Sequence, residues 1–194
     1  MFNGIIHNKG TLKRKIKTIN SSIIVIYSSL KFSNKEIGSS ICCNGVCLTL
    51  TKILGKNISF YLSNETLKRT NFNIIEIGKS INIEKSLYFG KSISGHYTQG
   101  HVDTTGIVKN ISIYDKAWKV RIFIGKKNME FIVDKCSITI NGVSLTISKI
   151  LKDSFEISIV PHTLKLTNLN ELKLEDLVNI EFDIFSKYLL KLTK

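Results

Sequence analysis

Long apolar runs are missing from this chain. The longest, Ile23-Ile24-Val25-Ile26-Tyr27, is far shorter than the roughly 20 residues a membrane helix takes, so no membrane partner is expected. Met1-Phe2-Asn3-Gly4-Ile5-Ile6 lacks the charged region and apolar run of a secretory signal, and a cytoplasmic location follows. Cysteine is sparse. Cys42, Cys43 and Cys47 lie close together and Cys136 stands apart, with no second Cys or His pair at zinc spacing, so no metal site is expected. Cys42, Cys43 and Cys136 read as reduced, small apolar residues, and a strand would send adjacent Cys42 and Cys43 to opposite faces. Acid is scarce too, at 15 Asp and Glu against 28 Lys and Arg, a net charge of +13. Yet the lysines are spread thinly, with no arginine-rich arm and no aromatic-interleaved basic stripe. A nucleic-acid partner is therefore not expected; the charge suits anionic small molecules.

Long helices are also absent from the body of the chain. What is there has the periodicity of strands: Ile23 to Tyr27, Ile81-Asn82-Ile83-Glu84, Val120-Arg121-Ile122-Phe123-Ile124 and Phe155-Glu156-Ile157-Ser158-Ile159. Turn signals separate them at Asn44-Gly45, Gly55-Lys56-Asn57, Gly125-Lys126-Lys127-Asn128 and Asn141-Gly142. Short helices are expected at residues 65–69 and 163–166.

One stretch occurs twice. Asn44-Gly45-Val46-Cys47-Leu48-Thr49 returns as Asn141-Gly142-Val143-Ser144-Leu145-Thr146, at an offset of 97. Residues 38–84 align with 135–181 at that offset without a gap, and 19 of the 47 positions are identical. Gly4-Ile5-Ile6 with Lys9-Gly10 resembles Gly100-His101-Val102 with Thr105-Gly106 more loosely. A duplicated unit of that size predicts two similar all-β domains, at 1–90 and 91–183, loosened apart around Gly90-Lys91-Ser92. A C-terminal helix over 184–194 follows, with Ile184, Phe185, Tyr188, Leu189 and Leu192 on one stripe. That stripe is read as an oligomerisation surface, with packing back on its own barrel as the alternative.

Met1-Phe2-x-Gly4-Ile5, the doubled Asn-Gly-Val-[Cys/Ser]-Leu-Thr, Glu65-Thr66-Leu67-x-Arg69-Thr70-Asn71, Ser94-Gly95-His96, Gly100-His101-Val102-Asp103 and Pro161-His162-Thr163-Leu164 together resemble the riboflavin synthase family over nearly the whole chain. The resemblance implies two tandem six-stranded Greek-key β-barrels, a short C-terminal helix and a homotrimer. It implies the dismutation of two 6,7-dimethyl-8-ribityllumazine molecules to riboflavin and 5-amino-6-ribitylamino-uracil, with no cofactor or metal. It also implies sites that join the first barrel of one subunit to the second barrel of the next. Antenna relatives, which bind one lumazine or flavin without turnover, are the alternative it leaves. Asn3, Gln99, Thr104 and Asn141 depart from the usual family residues.

Two identical substrates in unlike roles call for related but unequal pockets, and Cys47 against Ser144 supplies the inequality. His101 is the expected proton-transfer group, since an imidazole titrates near neutral pH. Cys47 adds to the ring or tunes polarity beside it, and Ser40 joins them as a catalytic hydroxyl. His96 is expected to be structural; Phe2 is either a pocket wall or core. The first pocket is expected from Cys47, Leu48 and Thr49 with Leu62, Ser63, Asn64, Glu65 and Thr66. The second is expected from Ser144, Leu145 and Thr146 with Ile159, Val160, Pro161, His162, Thr163 and Leu164. Gly4, Ile5 and Ile6, Gly100, His101 and Val102, and Lys135 complete the substrate-binding set.

Overall fold

Alternating β-branched, aromatic and polar residues commit most of the chain to half-buried strands. The computed structural model describes residues 1–193 and closes these strands into two barrels. Lys194, the last residue of the expected helix, lies outside the described residues. The first barrel contains β1 (Asn8–Lys17), β2 (Ser21–Ser28), β3 (Ser40–Cys43), β4 (Val46–Leu54), β5 (Asn57–Ser63) and β6 (Ser80–Lys85). Its strands run in the order β1-β2-β5-β4-β3-β6. The second contains β7 (Thr104–Tyr114), β8 (Ala117–Phe123), β9 (Ser137–Ile140), β10 (Val143–Ile150), β11 (Ser154–Ile159) and β12 (Leu177–Phe182), with the same neighbours and again closed. Closure leaves neither sheet with a free edge. Bulges recur too: Leu12/Arg14 matches Val108/Asn110, and Leu50/Lys52 matches Ile147/Lys149.

Alternation along each strand fills the barrels. Leu12, Ile24, Ile26, Leu50 and Phe60 pack inside the first; Val108, Ile122, Ile147, Phe155 and Ile157 pack inside the second. Cys43 faces the first core, while Cys42 points outward yet is only 3% exposed. Two short helices follow the fifth strand of each barrel, α1 (Asn64–Arg69) and α2 (Pro161–Leu166). Both begin slightly before their expected positions. The Ser63 hydroxyl caps α1 by accepting from Thr66 N, and Pro161 occupies the first turn of α2, where a missing N–H is no loss. The chain ends in α3 (Ile184–Thr193).

The two Asn-Gly turns hold the halves together. Asn44 and Gly45 have φ of 46° and 81°, and Asn141 and Gly142 have the same values, the left-handed pair that a two-residue hairpin demands. The turns meet back to back: a Cβ on Gly45 would sit 2.8 Å from Gly142 N. Asparagines then cross the junction in matched pairs. Asn82 Nδ2 donates to Asn141 O (2.9 Å) and Asn179 Nδ2 to Asn44 O (2.8 Å). Asn168 N donates to Asn82 Oδ1 (2.8 Å) and Asn71 N to Asn179 Oδ1 (2.7 Å). Buried amides are costly unless paired, so this arrangement specifies one docking of the barrels about an approximate twofold axis.

Candidate active sites at the barrel junction

Register places the candidate residues. Ser40 pairs with Thr49 and Cys42 with Cys47, so all four project from the outer face of the β3–β4 hairpin. Leu50 lies opposite Phe60, which carries Cys47 to the level of Ser63 and the start of α1. The second barrel repeats this: Ser137 pairs with Thr146 and Thr139 with Ser144, and Ile147 opposite Ile157 brings Ser144 level with Val160, just before α2. Thr49 and Thr146 are exposed, while Ser40, Cys47 and Ser144 are half-buried.

Each hairpin is covered by a segment from the other half. Cys47 N donates to Gly100 O and Ser144 N to Gly4 O, both at 2.8 Å. A Cβ on Gly100 would lie 2.7 Å from Cys47 Cβ, and one on Gly4 equally close to Ser144 Cβ. Both glycines also hold positive φ, +77° and +72°, so the contact needs glycine twice over. Behind each glycine stands a buried carboxylate. Glu84 accepts from Asn3 N (2.9 Å) and Gly4 N (3.1 Å); Glu181 accepts from Gln99 N (2.7 Å) and Gly100 N (2.9 Å). Burial pushes Glu84 up to about 7 against the pull of those amides, and pushes Glu181 up for the same reason.

The two sites differ in their side chains. His96 lies beside the second hairpin, with Nδ1 2.7 Å from Ser144 Oγ and Nε2 3.2 Å from Thr139 Oγ1. Its backbone N donates to Asn3 O, which holds it beside the N-terminal segment. Burial lowers its pKa, opposed by Asp183, and favours the neutral ring. A neutral imidazole that accepts at Nδ1 from the serine donates at Nε2 to the threonine. His96, expected to be structural, lies in contact with both side chains of this hairpin. The first hairpin offers Cys42 and Cys47 at the corresponding places, and burial pushes the Cys42 thiol well up, which leaves it protonated.

The remaining expected residues sort themselves by position. His101 is exposed and follows Gly100 beside Cys47. Phe2 is fully buried, its backbone bridged to Thr98, and belongs to the core. Ile6 and Leu164 pack into the second core, and Leu62 and Val102 into the first, so these four support the sites from beneath. His162 and Val160 are exposed at the start of α2. Lys135 is exposed with φ of 63°, where the first half has Gly38 at 92°; it accepts a backbone conformation that lysine rarely takes. A cavity of about 290 Å³ lies elsewhere, in the groove lined by Asn71, Ile75, Asn168 and Leu172. Neither Cys47 nor Ser144 borders it.

Two closed barrels, each presenting a hairpin shelf completed by a segment of its twin, define a tandem small-molecule-binding protein. The chain belongs to the lumazine-binding-domain family, whose model matches residues 3–86 and 99–183. Riboflavin synthase of Photobacterium leiognathi is 37% identical over 195 residues, covering 100% of this chain and 89% of that protein. Riboflavin synthase of Bacillus subtilis is 33% identical, covering 97% and 88%. Among solved structures, LumP complexed with riboflavin superposes with a TM-score of 0.84 at 28% identity, covering 94% of this chain and 99% of that one. LumP complexed with 6,7-dimethyl-8-(1'-D-ribityl) lumazine gives 0.81 at 27% identity, covering 93% and 98%.

Proposed function

We propose that this chain is a riboflavin synthase. It transfers a four-carbon unit between two 6,7-dimethyl-8-ribityllumazine molecules, releasing riboflavin and 5-amino-6-ribitylamino-uracil. One observation carries the reading: two hairpin shelves of equal build carry unlike groups, Ser144 with His96 on one and Cys47 with Cys42 on the other. On the second shelf a neutral His96 is suited to act as the base through Ser144: the hydroxyl takes a proton from the acidic C7-methyl of the lumazine as it passes its own to His96 Nδ1. Cys47 and Ser40 on the first shelf offer a nucleophile and a hydroxyl to the other lumazine, and His101, next in the chain to the Gly100 that covers Cys47, is proposed for proton transfer. Thr49 and Thr146, exposed at corresponding points, suit the ribityl and pyrimidine polar atoms.

Thr49 and Thr146 are exposed on the two shelves, so facing shelves from two chains would enclose the stacked pair of rings and supply effective molarity. The exposed stripe of α3, with Phe185, Tyr188 and Leu189 each more than half exposed, supports assembly into a homotrimer. No helix among the described residues is long and apolar enough to cross a membrane, in keeping with a cytoplasmic enzyme. Binding without turnover is the second reading, favoured by the likeness to LumP bound to riboflavin. Purified protein mixed with the lumazine should develop riboflavin absorbance. Tight lumazine binding with no riboflavin formed would establish the second reading instead.

A further inference from the structure

We propose that Glu84 and Glu181 are positioning residues, each setting the height of its own barrel's leading glycine segment over the reactive hairpin of the other barrel. Resting on the synthase reading for its kinetic consequence, the assignment itself stands on a repeated geometry.

Each carboxylate spends both oxygens on the amides of two consecutive residues. Oε1 and Oε2 of Glu84 accept from Asn3 N and Gly4 N, and those of Glu181 from Gln99 N and Gly100 N. The next bond crosses the junction, from Ser144 N to Gly4 O and from Cys47 N to Gly100 O. A chain of two hydrogen bonds therefore runs from Glu84 to the Ser144 backbone, and another from Glu181 to the Cys47 backbone. The glycines leave no slack, because each lies in van der Waals contact with the hairpin residue it covers. Cross-strand register puts Glu84 beside Cys42, whose other neighbour is Cys47, so each glutamate also stands in the row of its own barrel's shelf. Glu181 likewise stands beside Thr139, whose other neighbour is Ser144. Neighbouring buried amides could equally donate to a serine or threonine hydroxyl or a main-chain carbonyl. A carboxylate is a costly choice for a buried place unless the rigidity of a two-pronged acceptor is what the place needs.

The histidines report on each segment separately. His96 is tied to the segment Glu84 holds, since its N donates to Asn3 O. His101 follows Gly100, which Glu181 holds. The chain has only four histidines, so ring-labelled protein gives a readable spectrum.

Glu84→Gln and Glu181→Gln each turn one acceptor oxygen into an amide that faces a backbone N–H. In lumazine turnover each should lower kcat by about a hundred-fold, the scale of an ångström-sized misplacement, with KM changed far less and the thermal midpoint retained. In the histidine spectrum Glu84→Gln should move His96 and leave His101 in place, and Glu181→Gln should do the reverse. Where a Gln variant does not fold, Glu84→Asp and Glu181→Asp keep both oxygens but retract them by one methylene, and should show the same split and the same crossed pattern. Unchanged kcat overturns the assignment. So does a loss of rate that follows a lowered midpoint with all histidines shifting together, which marks general loosening. A wild-type protein that forms no riboflavin overturns the synthase reading, and the crossed histidine pattern then decides the positioning role alone.

Discussion

Ser144 and Cys47 occupy equivalent places, and what surrounds each decides its chemistry. Ser144 has an imidazole at hydrogen-bond distance, and the second nitrogen of that ring is held by Thr139. If the pair acts as a unit, His96→Ala and Ser144→Ala should each slow lumazine turnover by about a hundred-fold, and the double variant should be little slower than the worse single one. Additive losses would show that the two residues act apart. His101→Ala should cost a similar factor through the other site, and a near-normal rate would leave it a surface histidine. The doubled hairpin was legible in the sequence because five of the six residues at 44–49 return unchanged at one offset. His96 was not, because it has no counterpart in the first half and reaches Thr139 and Ser144 only when residues 94–98 pair with the N-terminal segment. Glu84 and Glu181 were visible as part of a repeated Asn-Ile-Glu, but nothing in that string says that their oxygens clamp amides some 80 residues away.

Among the elements, the hairpins and α3 illustrate opposite kinds of information. Asn-Gly demanded left-handed backbone, and the structure has it at both turns with the same φ values. That was local chemistry and needed no partner. For α3 the spacing of Ile184, Phe185, Tyr188, Leu189 and Leu192 left two destinations open. In the structure the helix is tethered at its polar side, Lys187 Nζ lying 2.6 Å from Asp103, while Phe185, Tyr188, Leu189 and Leu192 are 62%, 62%, 63% and 82% exposed. Its own barrel does not cover the stripe. If the proposed assembly runs through this helix, removal of residues 185–194 should give monomers by sedimentation, with depressed turnover. A fully active monomer would refute assembly through this helix.

At the scale of the whole molecule, the junction buries acid where most proteins bury none. Burial raises Glu84 to about 7, above its ordinary value near 4.5, so the native state binds more protons than the unfolded chain between those limits. Its contribution to stability is full below the lower limit and is lost as pH climbs through the upper one, by on the order of 3 kcal/mol. Urea unfolding at pH 5 and pH 8 should show that loss, and Glu84→Gln should remove its share of it. An identical pH response in the variant would place the titration elsewhere. The gap-free repeat made both barrels legible in the sequence, whereas their docking was hidden, since nothing in the strings around Asn82 and Asn179 says that their amides fasten the two turns across the axis. That fastening, with the crossed glycines, has a consequence for descent. Gly4 answers to Ser144 and Gly100 to Cys47, so neither half can drift toward a new specificity by itself. A substitution accepted in one leading segment has to be accommodated by the hairpin of its twin. The ancestral copies became unequal in chemistry while remaining bound to a shared geometry, and the pair now diverges only as one inheritance.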